Sequence, residues 1–516
     1  MQAARPRALI TPLQLGLRVQ VHHNFASRFL VSTLNSLGFC SSYYEVQKFE
    51  SSAAAVQGVD LPGDVSFVQF VADNVDHNTR TIDDLNTFHG MGIIAGLTPG
   101  TKRTQPIPRI AFSSNEIKAL AKIEIKYYKP QSDRMAEFSY AQLKNLNTLD
   151  KTFRLDLLSV IVWPFKYPIP IWSGFMQMVQ TGDYPGKSSV SFLPMIDLNA
   201  SDMTCIYSTL NFVANQAKRY DITAILTFDQ PLYWKAFSMV LRLGTFHKEM
   251  SFLGSIGNLM SNTGLKEMLE LIYAPNVVTH ILSGKAVARA FRGHMLVDTV
   301  LYCVLIAEIF SIDVSKLLEE SHSTLHSTEM NEIDELYSQL TCGELSASEA
   351  CESDVLKKLE ATVRRKTEIL KQSRTAKLWL QYSEMVQVLR QFIKAERTGN
   401  WPLHLQSIQA ILPFLAASGH NLYTKTAYLM TMQSLDEDHP DVYANFINGN
   451  HVIRRSNRYC AEKSSDLFIE QVLMRSVKTA GGLTRGRGMT GVDMLRTINC
   501  FQLEQYYHRL PKSFLV

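Results

Sequence analysis

The stretch Val65-Ser-Phe-Val-Gln-Phe-Val-Ala-Asp73 is an apolar run that ends in a carboxylate, followed by Asn74-Val75-Asp76. It predicts a β-strand, because β-branched and aromatic residues fill it and polar residues end it. An ionised Asp beside a core is costly unless it is paired or bound to a metal ion. Asp73 is therefore a candidate metal ligand, with Asp76 as the alternative. The ordinary explanation is a turn, where Asp and Asn are common.

A second run of this kind, Ile222-Thr-Ala-Ile-Leu-Thr-Phe-Asp229, predicts another strand that ends in an acid. Gln230-Pro231 follows it, and Pro is favoured in the first turn of a helix. Asp229 therefore suits two roles, metal ligand or N-cap of the next helix, and both use the same carboxylate. Taken alone, the spacing favours the cap.

The third acid, Glu470, lies in Asp466-Leu-Phe-Ile-Glu470 on a helix predicted over 465–478. Apolar residues cover much of this helix, so we expect Glu470 to be partly buried and to have a partner. Asp466 lies one turn earlier on the same face. A salt bridge to an arginine is the ordinary alternative to metal binding.

Carboxylates that converge on one point repel each other unless a cation lies between them. Hard oxygen ligands suit Mg²⁺, and two such ions can hold the attacking and leaving oxygens of a phosphodiester. If Asp73, Asp229 and Glu470 meet, the chain therefore has the ligands of a nuclease.

The surroundings of Glu470 are basic, with eight Lys or Arg against three acids between His451 and Gly488. Such a cluster can hold a phosphate backbone, although a solvated basic loop is as good an explanation. His247 can contact a phosphate, but a lone histidine among apolar residues is more often part of the core. We predict DNA contacts for His247, Arg454, Arg455, Lys478, Arg485 and Arg487.

Length and composition describe an ordinary globular protein. The chain has 516 residues, of which 46% are hydrophobic and 19% charged, so two or three structural units are expected. Its seven cysteines are dispersed and odd in number, which favours a reduced intracellular protein. The most apolar window, Met295–Phe310, contains two acids, Asp298 and Glu308, and is short for a membrane span, which predicts a buried helix.

Strand patterns occur early (65–73 and 87–97), in the middle (222–229) and late, at His451-Val-Ile-Arg-Arg. Helical patterns fill most of 231–435, and 352–397 is the clearest of them. This alternation predicts an α/β fold with one mixed sheet core interrupted by insertions.

The layout resembles the RNase H-like (DDE) catalytic domain of cut-and-paste DNA transposases with a large helical insertion. In those families the first Asp is on the first strand, the second follows the fourth strand, and the Glu is on a late helix. The resemblance implies that Asp73, Asp229 and Glu470 are catalytic and bind Mg²⁺ (or Mn²⁺). Gly244-Thr-Phe-His247 resembles their Cys- or Asp-x-x-His element, with Gly at the first position.

Several segments also resemble a group of transposon-derived animal proteins, among them Ala72-Asp-Asn-Val-Asp-His-Asn, Leu226-Thr-Phe-Asp-Gln-Pro and Asp466 through Gly488. The implied organisation is an N-terminal helical region (1–60), a first part of the RNase H-like core with an insertion near 100–215 (61–250), an all-helical insertion (251–440), and a last part with the Glu-bearing helix and a basic Gly-rich loop (441–516).

The implied function is Mg²⁺-dependent DNA phosphodiester cleavage and strand transfer by a transposase-like protein. The alternatives are a catalytically inactive scaffold that binds DNA or protein, and a helical interaction protein with no nucleic-acid role. DNA is the expected partner, self-association is left open, no membrane is expected, and the resemblance implies an intracellular, nuclear location.

Overall fold

The computed structural model divides the chain into two compact units. One consists of Met1–Phe138, Gly186–Gly244 and Ser465–Val516, and the other of Ser139–Pro185 and Thr245–Ser464. The residues that the structure describes are 10–25, 27–46, 48–49, 52, 61, 67–78, 87–100, 110, 113, 116, 119, 123–129, 153–163, 166, 168–180, 186–236, 240–312, 328–431, 435–454, 456 and 458–470.

Helices account for most of the described secondary structure. In chain order they are α1 Pro12–Phe25, α2 Arg28–Ser36, α3 Phe153–Val162, α4 Trp172–Val179, α5 Met203–Arg219, α6 Gln230–Lys235, α7 Thr245–Leu259, α8 Leu265–Glu270, α9 Pro275–Leu282, α10 Val287–Phe310, α11 Thr328–Cys342, α12 Ala347–Glu352, α13 Asp354–Leu370, α14 Arg374–Thr398, α15 Trp401–Ala417, α16 Asn421–Thr431, α17 Leu435–Asp438, α18 Pro440–Ile447 and α19 Ser465–Phe468.

Among the residues that the structure describes, the first unit contains one small mixed sheet of five strands: β1 Val68–Asn78, β2 Thr87–Leu97, β3 Ser189–Ile196, β4 Ile225–Phe228 and β5 Val240–Leu243. Their order in the sheet is β3-β2-β1-β4-β5. β1, β2 and β3 are antiparallel neighbours, whereas β4 and β5 run parallel to β1. The predicted α/β class is therefore confirmed at the level of a largely helical chain with one mixed sheet.

β1 is the central strand of this sheet. It pairs with β2 along its whole length, but with β4 only at Phe70–Leu226 and Val71–Thr227. The prediction that the strand stops at Asp73 is wrong, because β1 continues to Asn78 as a two-stranded ribbon with β2. Asp73 instead marks the place where β1 passes the end of β4.

Helices connect the parallel strands, as parallel pairing requires. α5 lies between β3 and β4 and is capped by Asp202, whose side chain accepts a hydrogen bond from the Thr204 N–H at 2.7 Å. α6 lies between β4 and β5. β4 is buried at every position, which is typical of a strand covered on both faces.

The second unit is helical and has charged groups in its core. The clear helical pattern over 352–397 is two helices, α13 and α14, and the Ser373 hydroxyl caps the second by accepting from the Ala376 N–H. Arg390 of α14 donates to buried Asp298 at 2.5 Å, and Lys394 of the same helix contacts buried Asp156 at 3.0 Å. Pairing of this kind offsets the cost of removing charges from water.

α10 corresponds to the most apolar window of the sequence. Among the described helices it alone is long and apolar enough to cross a bilayer by length and composition. Its Ala290, His294 and Asp298 side chains are fully buried within the protein. Within the predicted window Met295–Phe310, one side of α10 is buried, whereas Val300 and Val304 on the other side are exposed. The buried helix that the sequence predicted is therefore confirmed for one side only.

Candidate metal centre

Asp73 lies in β1 just beyond the residues that pair with β2 on one side and with β4 on the other. Its side chain is only 2% exposed, and its Oδ1 accepts a hydrogen bond from the Asn74 N–H at 2.8 Å. Asp76 is three residues farther along β1, where the strand pairs with β2 at His89. Of the two predicted alternatives, Asp73 is the one beside the end of β4.

Asp229 directly follows β4. Continuing the β1–β4 register by two residues puts Asp229 level with Asp73. Its carboxylate caps α6, because Oδ1 accepts the Leu232 N–H at 3.1 Å and Pro231 occupies the first turn. The capping role that the sequence favoured is therefore confirmed, while metal binding by Asp229 stays a prediction.

Glu470 reaches this edge of the sheet through α19. The helix begins at Ser465, as predicted, and packs against β1 and β4. Glu470 is half-buried, and one of its carboxylate oxygens lies within 4.8 Å of a carboxylate oxygen of Asp73. The fold thus brings together two acids that are far apart in sequence. The predicted continuation of the helix to 478 lies outside the described residues.

Asp466 is a further acid at this edge, and the sequence did not assign it to the site. It is 2% exposed and lies one helical turn before Glu470. Its Oδ2 approaches Gly244, where a Cβ atom would lie only 2.6 Å from that oxygen and 3.2 Å from the Phe228 carbonyl oxygen. The sequence signal was present, since Asp466 and Glu470 share a helix face, but the approach to Gly244 needed the fold.

Gly244 therefore has a geometric reason to lack a side chain. It follows β5, and its N–H donates to the Phe228 carbonyl at 2.7 Å, which holds the ends of β4 and β5 together. Any side chain at this position would displace the Asp466 carboxylate. The glycine that departs from the Cys- or Asp-x-x-His pattern thus makes room for a different acid.

The residues at this edge suit a hard divalent cation. Mg²⁺ commonly uses one or two protein carboxylates and keeps several waters. Asp73 and Glu470 supply two carboxylates at a separation that an ion can bridge after small side-chain movement. Burial of Asp73 beside other acids raises their mutual repulsion, which a bound cation would relieve.

The predicted DNA-contacting residues have different outcomes. His247 is the third residue of α7 in the second unit, half-buried, with its ring edge-on to Phe246 at 5.5 Å. Arg454 is 2% exposed and donates to the Asn448 carbonyl at 2.9 Å, so its buried position does not suit a contact with DNA. The remaining four lie outside the described residues: Arg455, Lys478, Arg485 and Arg487.

Comparison with known proteins places part of the chain in a protein family. Residues 171–510, more than half of the chain, match the model of a domain of unknown function, DUF8702. The matched range includes Asp229, Asp466 and Glu470, while Asp73 precedes it. No curated protein and no solved structure matches the chain.

Proposed function

We propose that the chain, which belongs to the DUF8702 family, is a metal-dependent, transposase-like enzyme that cleaves DNA phosphodiesters and transfers strands. In this proposal the sheet of the first unit is an RNase H-like core, Mg²⁺ or Mn²⁺ is the cofactor, and DNA in the nucleus is the substrate. The proximity of the Asp73 and Glu470 carboxylates is the observation that carries the proposal.

The arrangement of the sheet supports this function. Asp73 is on the first strand, Asp229 directly follows the fourth, and Glu470 lies beyond a late helix. The places of Asp73 and Asp229 agree with those of the first two acids in the transposase domains that the sequence resembles, whose Glu is on a late helix rather than just beyond it. Because β1 and β4 are parallel neighbours, their carboxyl ends lie at the same edge of the sheet, which is where ligands bind in open α/β sheets.

In the proposed reaction Asp73 and Glu470 would hold the cation, and Asp466, set against Gly244, would fix the helix that directly precedes Glu470. When bound, the cation supplies Lewis-acid stabilisation of the phosphate and activation of the nucleophile. An oxygen of water or of a DNA 3′-hydroxyl forms a bond to phosphorus as the bond to the leaving 3′-oxygen breaks. The nucleophile gives its proton to solvent, and the leaving oxygen takes up a proton from solvent.

Nicking of supercoiled plasmid with Mg²⁺ or Mn²⁺ tests the proposal. Asp73→Asn and Glu470→Gln are each expected to reduce nicking by at least about a hundredfold, since each removes a ligand charge. Asp197→Asn is the matched control, because this exposed acid follows β3 at the same edge of the sheet. Equal nicking by Asp73→Asn and wild type refutes the assignment.

A second candidate, a catalytically inactive scaffold that binds DNA, is favoured by one observation. The Asp229 carboxylate caps α6, so the second acid of the resemblance already has a structural role. The scaffold predicts salt-sensitive DNA binding that survives Asp73→Asn and Glu470→Gln, together with no nicking by the wild type. Nicking that depends on both acids excludes it.

A further inference from the structure

α10 has a row of residues on its outer side that the second unit leaves uncovered. The row follows every fourth residue: Arg292, Leu296, Val300, Val304 and Glu308. Val300 is 45% exposed and Val304 is 50% exposed, while Leu296 is half-buried. We call these five residues the outer ridge.

The outer ridge has the geometry of a helix-packing surface. Residues spaced four apart form the ridges that fit the grooves of a second helix in the commonest class of helix pair. Its centre is apolar and its ends are charged, with Arg292 exposed at one end and Glu308 at the other. An apolar centre with a charged residue at each end matches the arrangement of a protein interface, in which a polar rim surrounds an apolar core.

The charges favour a second copy of this chain as the partner. When that copy runs antiparallel, the positive end of one ridge faces the negative end of the other. With an antiparallel copy centred on Val300, Arg292 faces Glu308 of the partner subunit and Leu296 faces Val304 of the partner subunit. Each contact then occurs twice, as twofold symmetry requires. We propose that the outer ridge is a self-association surface on which a second copy of this chain docks antiparallel through α10.

The opposite side of α10 argues against a bilayer as the occupant. There Asp298 is paired with Arg390 at 2.5 Å, and His294 Nδ1 is hydrogen-bonded to the Tyr382 hydroxyl at 3.0 Å. Insertion of α10 into lipid would break these contacts and leave charged groups without their partners. Docking of a second copy uses only the exposed side and leaves them intact.

The expected association is weak. One helix pair buries less than the roughly 1,200 Å² of a stable protein interface, so we expect a dimer that forms with increasing concentration. Glu308 also pairs with Lys366 of the same chain at 2.7 Å, but its side chain is 51% exposed and can reach a second cation. The contacts at the two ends are charged, so association should weaken as salt is raised.

Sedimentation equilibrium of the full chain over a concentration series tests the proposal. Arg292→Glu and Glu308→Arg each place like charges opposite each other and are expected to weaken dimerisation at least about tenfold. The double variant Arg292→Glu/Glu308→Arg restores opposite charges and should restore the dimer. Val300→Asp, which puts two acids at the symmetry axis, should abolish it.

Arg374→Glu is the matched charge-reversal control, because Arg374 is exposed at the start of α14 and lies outside the ridge. Thermal unfolding of every variant verifies that the helical unit is folded. A wild type that stays monomeric at all concentrations overturns the proposal. So does a dimer that Arg292→Glu leaves unchanged, or binding of the monomer to phosphatidylcholine vesicles that Val300→Asp removes. None of these outcomes depends on nicking activity.

Discussion

Acidification should weaken the helical unit through His294, which is fully buried on α10. Burial lowers the pKa of this histidine to about 4 from its ordinary value of 6.5. The unfolded chain therefore takes up a proton between these two pH values that the folded chain does not. The contribution of neutral His294 to stability is complete above pH 6.5 and is lost as the pH falls through this window.

The size of the effect follows from the two pKa values. Between pH 7 and pH 5, protonation of unfolded His294 should cost the wild type about 2 kcal/mol of unfolding free energy. Asp298 lies near His294, and burial raises its pKa despite the Arg390 charge, which gives a pH dependence of opposite sign. The wild type and His294→Gln both contain Asp298, so its contribution cancels when their unfolding free energies are subtracted.

The measurement compares wild type with His294→Gln, which retains a polar side chain opposite Tyr382 but cannot be protonated. Urea unfolding is monitored by tryptophan fluorescence, since Trp379 lies against Tyr382 in this unit. The unfolding free energy of the wild type minus that of His294→Gln should fall by about 2 kcal/mol from pH 7 to pH 5.

Tyr382→Phe is the control for this comparison. It removes the hydrogen bond to His294 but leaves the imidazole, so its unfolding free energy should have the same pH slope as that of the wild type. If this difference in unfolding free energy between the wild type and His294→Gln is constant with pH, or increases in acid, the reasoning is refuted.

Two further substitutions test packing inside each unit separately, Gly244→Ala in the first unit and Asp298→Asn in the second. Gly244→Ala should weaken Mn²⁺ binding about 10- to 100-fold in calorimetry, because its Cβ displaces Asp466 and with it the helix before Glu470; unchanged affinity contradicts this. Asp298→Asn should cost about 3–5 kcal/mol in urea unfolding, because it leaves Arg390 buried without its counter-ion. The double change Asp298→Leu/Arg390→Met should cost less, and an equal or larger cost contradicts that explanation.

The sequence predicted the strands that have regular patterns and missed those at the edges of the sheet. The bounds predicted for β2, 87–97, agree with the structure, because Gly and Pro end its apolar run. β3 contains Pro194, which argues against a central strand, but β3 is an edge strand, where proline is tolerated. β5 has only four residues within a region of helical pattern, and its position depends on pairing with β4.

The candidate site was predictable to the extent that acids follow apolar strands. That rule holds for Asp229, which follows β4, whereas Asp73 ends an apolar run but lies inside β1. Apolar neighbours around Glu470 correctly predicted its partial burial. The part played by Asp466 was not predictable, since it depends on how closely α19 approaches Gly244. The burial of Arg454 was also missed, because a basic cluster in sequence does not reveal which of its side chains faces the core.

The sheet unit combines chain segments from before and after the helical unit. During synthesis, β1 to β5 are made long before α19. Asp73 and Glu470 can therefore come together only after nearly the whole chain has been made. A product that stops before Ser465 would contain all five strands of the described sheet and still lack Glu470. Under the proposed function, a nascent or truncated chain that lacks Glu470 would therefore be unable to cleave DNA.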